Sequence, residues 1–124
     1  MQSTVRMIHM VVAWATVALL VVQVWLAGRG VFDTTGFDPH RSLGYTISLF
    51  PIVLLVLGLL GGMGRRVALL AVAIFLLIIL QSVFVVLKTD QPAIAALHPV
   101  NGFLILLVSL VLARESTRMR TVTA

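Results

Sequence analysis

Two histidines stand at the start of long apolar runs, each with a glycine four residues later: Pro39-His40-Arg41-Ser42-Leu43-Gly44 and Leu97-His98-Pro99-Val100-Asn101-Gly102. A spacing of four puts histidine and glycine on one face of a helix. The two motifs share a register. His40 and His98 are 58 apart (98 − 40), as are Gly44 and Gly102 (102 − 44) and, upstream, Gln23 and Gln81 (81 − 23). Further leucine and isoleucine matches at this offset carry little weight in so apolar a chain. The glutamine, histidine and glycine matches are the mark of a duplicated unit.

Two imidazoles at equivalent places in two repeated units suit one chemistry above others. A low-spin haem b takes an axial imidazole on each face, and a two-fold pair of histidines supplies both, so His40 and His98 are the expected iron ligands. Gly44 and Gly102 would let the macrocycle approach the backbone. Arg41, at the outer rim, would pair with a propionate. Gln23, Gln81 or Asn101 would hydrogen-bond the free imidazole nitrogens and fix their tautomers. A plainer reading stands beside this one: histidines at helix ends sit in the polar interface, and glycines in membrane helices let helices pack closely. On that reading the chain is a cofactor-free accessory or structural protein.

Other polar residues suggest less. His9 has Val67 as its counterpart and reads as an interfacial residue near the inner end of the first helix. Ser48 and Ser109 read as small hydroxyls that bond back to their own helix. No Asp or Glu falls within an apolar run to couple protons, and no Ser-His-acid constellation is visible, so no catalytic residue is assigned.

The elements that must position these groups follow from composition. The 124 residues are 60% hydrophobic and 10% charged, with a mean hydropathy of +1.15, beyond the reach of a domain with a polar surface. The absence of cysteine excludes disulfides, thiolate ligation and covalent haem attachment. The net charge of +5 sits at the ends of apolar runs instead of on a solvated face, which argues for topology and anionic lipid and against nucleic acid.

Four transmembrane helices are expected at about 7–27, 40–63, 67–87 and 94–113, with a polar C-terminal tail at 114–124. A cleaved leader ending near Gly28 is the competing reading of the first run, but the run is long and Trp25 is too bulky for the cleavage site. Pro51 should kink the second helix. The fold class is thus all-α, an integral membrane four-helix bundle of two repeated transmembrane hairpins in one domain. Arg6, Arg65, Arg66, Arg114, Arg118 and Arg120 would share the cytoplasmic side, putting both termini inside and both histidine-bearing loops outside. The expected partners are the bilayer, a redox or membrane-protein partner, and a further copy of the chain.

The segment Phe37-Asp38-Pro39-His40-Arg41-Ser42-Leu43-Gly44 with Leu97-His98-Pro99-Val100-Asn101-Gly102 resembles small bacterial four-helix membrane proteins grouped as an uncharacterised family (domain of unknown function 6220), over nearly the whole chain. More distantly, the layout is similar to one four-helix half of haem A synthase, whose halves carry haem-ligating histidines on their second and fourth helices near the outer side. That resemblance implies His40 and His98 as ligands, a His-Arg pair at His40 and Arg41, and a bacterial inner membrane. It does not carry the synthase reaction: the acidic residue that the synthase has three positions before its His-Arg is Phe37 here, with Asp38 one residue off.

Overall fold

A computed structural model describes residues 1–32 and 36–121. Among them the regular elements are all helical: α1 (Gln2–Phe32), α2 (Asp38–Ile47), α3 (Phe50–Leu60), α4 (Gly64–Val86), α5 (Pro92–Ala95) and α6 (His98–Thr121). Four stretches are long and apolar enough to cross a membrane: Gln2–Phe32, Asp38–Leu60, Gly64–Val86 and Pro92–Met119. No more than 22% of the most apolar window of any of them is buried within the protein. Large side chains such as Val21, Leu69, Leu76, Phe103 and Leu107 point outward. An apolar exterior of this extent needs lipid around it.

The helices close into a ring, α1 against α6, α6 against α4, α4 against α3 and α3 against α1, with α2 lying on α1. Leu54, Ala71, Ile74, Leu112 and Ala113 form the sealed core. α2 and α6, which carry His40 and His98, are not principal neighbours, so the two histidines approach each other across the bundle.

Element boundaries differ from the hydropathy reading for identifiable reasons. The second span is broken at Ser48 and Leu49, about one turn upstream of Pro51. The proline has no N–H, and its ring crowds the carbonyl four residues back; the Ser48 N–H still closes the last four-residue bond, to Gly44 O (3.1 Å), and the Leu49 N–H tightens to Thr46 O (3.3 Å). α3 ends in a Schellman turn, in which the Met63 N–H reaches Gly58 O at 3.0 Å across Gly62 at φ +57°, a conformation that glycine adopts without steric cost. Arg6 Nε donates to Gly61 O at 2.7 Å and ties the N-terminal end of α1 to this turn.

The stretch read as a polar tail from 114 is helical as far as Thr121. Ser116 is buried, and Glu115 pairs with Arg66 of α4 at 3.2 Å and with Arg118 at 3.5 Å. Likewise α1 extends past both ends of its expected span, because hydropathy marks only the lipid-embedded part of a helix. The run expected to open the fourth helix at 94 is divided, with α5 separated from α6 by the turn at Ala96 and Leu97. Asp33, Thr34 and Thr35 of the first loop, and residues 122–124 of the tail, lie outside the described residues.

Candidate functional site

His40, the third residue of α2, and His98, the first of α6, bring their rings together with centroids 6.2 Å apart and planes inclined at 59°. Both are half-buried. Each is held by the hairpin partner of its own helix through the same atom. His40 Nδ1 lies 3.0 Å from Gln23 O on α1, and His98 Nδ1 lies 3.3 Å from Gln81 O on α4.

A carbonyl oxygen can only accept a hydrogen bond, so both Nδ1 atoms must carry the proton. In the neutral ring Nε2 is then a bare lone pair, directed away from the helix that holds Nδ1. The two imidazoles thus carry the same tautomer on rings whose centres lie 6.2 Å apart. It is also the arrangement by which a metal-ligating histidine is normally oriented, its second nitrogen donating to a backbone carbonyl.

The glutamines therefore act differently from the sequence expectation. Their main-chain carbonyls hold the imidazoles, and their side chains go elsewhere. Gln23 Nε2 donates to His40 O at 2.7 Å, so Gln23 grips His40 by ring and by backbone. Gln81 Oε1 instead accepts from Asn101 Nδ2 at 2.7 Å, and the same Asn101 amide donates to Leu77 O at 2.8 Å. Asn101 is buried and knits α6 to α4 without touching an imidazole.

The glycines open space for these amides. A Cβ on Gly44 would lie 3.0 Å from Gln23 Nε2, and one on Gly102 would lie 3.5 Å from Gln81 Nε2. Arg41 is exposed and turned to Asp38 on its own helix at 3.1 Å, an i,i+3 pair at the outer rim. Of the eight residues singled out, seven thus form one connected layer, and Arg41 stands beside it. Among the described residues no group of three or more His, Cys, Asp or Glu gathers anywhere.

A second polar layer escaped the sequence reading. His9 is not interfacial but fully enclosed, with Nδ1 2.9 Å from Ser116 Oγ on α6. Its Nε2 packs against Gly58 of α3 and closes no hydrogen bond. Ser109 is likewise buried, its hydroxyl unpaired instead of bonded back to its helix, whereas Ser48 does bond back, to Tyr45 O at 2.6 Å. One signal could have found this layer. His9, Thr16 and Gln23 recur every seven residues on α1, and Ser116, Ser109 and Gly102 do so on α6. The sums 9 + 116, 16 + 109 and 23 + 102 all equal 125, the relation expected of facing positions on two antiparallel helices, and His9 with Ser116 is the pair that meets.

A family model described as "Family of unknown function (DUF6220)" matches residues 23–89. The match includes His40, Gln23 and Gln81 and stops short of His98. No curated protein and no solved structure matches the chain.

Proposed function

We propose that this chain, which belongs to the DUF6220 family of unknown function, binds one haem b between His40 and His98 and serves in electron transfer or haem-linked sensing. The observation that carries the reading is the paired tautomer: two half-buried rings 6.2 Å apart, each donating Nδ1–H to a main-chain carbonyl. An imidazole nitrogen sits about 2.0–2.1 Å from a metal it ligates, so rings 6.2 Å apart would be near enough to hold one metal atom between them with both Nε2 atoms turned toward it. The donor set points the same way. Two histidines leave a bare zinc ion short of its four ligands, but a porphyrin brings four nitrogens of its own and needs two more.

When bound, haem iron supplies a one-electron ferric–ferrous couple. The chain's own residues do the rest. Gln23 and Gln81 fix the ring tautomers, Asn101 braces Gln81 against α6, and Ile47 and Ile105, both buried, floor the site on its membrane side. Arg41 is placed at the rim to reach a propionate if it releases Asp38. The offset of 58 residues supports a repeat of two hairpins about an axis along the membrane normal, and the likeness to half of haem A synthase supports the second and fourth spans as ligand carriers. In this reading the protein is bacterial and lies in the plasma membrane. Both termini are cytoplasmic, the histidine layer faces outward, and electrons pass to a redox partner or a second copy.

The test is an absorption spectrum of the detergent-purified protein from haem-replete cells. We expect a Soret band, sharp α and β bands on reduction, and loss of all of them in the His40→Ala/His98→Ala double variant. A colourless, folded preparation overturns the reading.

The interhelical bonds Asn101–Leu77, Asn101–Gln81 and His9–Ser116 favour a second reading, in which the polar layers serve only to set helix register. It expects a colourless protein whose assembly is unchanged when both outer histidines become glutamine.

A further inference from the structure

The two halves of the outer layer are built alike but not equally tight. His40 is held at three points: its ring by Gln23 O at 3.0 Å, its carbonyl by Gln23 Nε2 at 2.7 Å, and its face by the edge of Phe37, with ring centroids 6.3 Å apart. For His98 the ring bond to Gln81 O is 3.3 Å, near the long limit for N–H···O. The Gln81 carboxamide oxygen is engaged by Asn101, whose counterpart 58 residues earlier is Leu43, so Asn101 draws that carboxamide toward its own side chain. The counterpart of Phe37 is Ala95, which has no ring to offer.

The backbone repeats the contrast. His40 lies inside α2, whereas His98 begins α6 at its joint with the four-residue α5. A weaker Nδ1–H···O bond makes a poorer donor of Nε2, and a joint at the helix start gives the ring somewhere to go.

We infer that His98 is the axial ligand that yields, and that the site takes a small neutral diatomic ligand, carbon monoxide or nitric oxide in character, on its α6 side while His40 keeps the iron. This rests on the haem reading above. With haem bound, the exchange would need only that His98 Nε2 give up its place to a lone pair of the incoming molecule, and no electron or proton would change hands.

The test uses the full-length protein purified with haem, reduced anaerobically and titrated with carbon monoxide. The wild type should bind it with haem retained. His98→Gly should keep its haem in a five-coordinate ferrous state and bind carbon monoxide at least about tenfold tighter, because the competing ligand that held nine-tenths or more of the molecules closed is gone. Added imidazole should restore the six-coordinate spectrum of His98→Gly, showing an intact fold. His40→Gly should lose haem during purification. A six-coordinate wild type that refuses carbon monoxide, or two glycine variants that lose haem equally, overturns this inference while leaving the haem reading in place. A wild type with no Soret band overturns both.

Discussion

The outer and inner polar layers use the same side chain to opposite ends. At the outer end two half-buried imidazoles lie with their centres 6.2 Å apart, each tied through Nδ1 to the main chain of a neighbouring helix. At the inner end one imidazole is enclosed on every side, bonded to a hydroxyl, with Val67 where a second ring would stand. The difference teaches that a buried histidine is not by itself a ligand. A ligand site needs a second donor across an approachable gap, while a lone ring sealed among helices adds packing and register.

The largest effect on stability is therefore expected at the inner layer. His9→Ala removes a fully enclosed ring and its hydrogen bond to Ser116, whose hydroxyl keeps its own bond to Leu112 O. Its cost is about 2 kcal/mol, the low end of the range for large core truncations, because inside lipid the loss is of contacts and a hydrogen bond and not of transfer from water. Unfolding in mixed micelles should show the loss, with the spectrum of the remaining folded protein unchanged. If His9→Ala instead bleaches the protein and leaves stability intact, the two layers have been assigned the wrong way round. Ser116→Ala breaks the same contact more gently. It leaves the His9 Nδ1–H without its acceptor at a cost of about 1 kcal/mol, and a His9→Ala/Ser116→Ala pair should cost less than the sum of the two.

How far these layers were legible in advance follows the physics of each signal. The four membrane spans were readable because crossing lipid demands long apolar helices, and the outer layer was readable because its glutamines, histidines and glycines repeat at one offset. The main-chain carbonyls that hold His40 and His98 could not be read, since every residue has one and only the packing selects which is used. His9 was misplaced because its partner Ser116 lay in what hydropathy treats as tail. Hydropathy falls once a helix leaves the hydrocarbon, yet α6 continues, braced by Glu115 against Arg66. The break at Ser48 and Leu49 was half-legible: Pro51 announces it, but the steric clash acts one turn upstream of the proline itself.

The finest comparison lies within the outer layer, between its two glycines. Replacing a helical glycine by alanine gains up to about 1 kcal/mol from backbone entropy. At Gly102 that gain should be kept, because the new Cβ would sit 3.5 Å from Gln81 Nε2, an ordinary contact. At Gly44 the new Cβ would sit 3.0 Å from Gln23 Nε2, so the amide would have to give by a few tenths of an ångström and strain its bond to His40 O. That strain offsets part of the gain, so Gly102→Ala should be the more stable variant, by up to about 1 kcal/mol in matched micelles. On the haem reading the spectra should divide the halves too: Gly44→Ala, which disturbs the Gln23 amide that holds His40, should shed haem faster than Gly102→Ala, whose new Cβ meets Gln81 at an ordinary distance. Equal shifts in both measurements would mean that Gln23 and Gln81 grip their histidines alike, and the difference between the two halves would disappear.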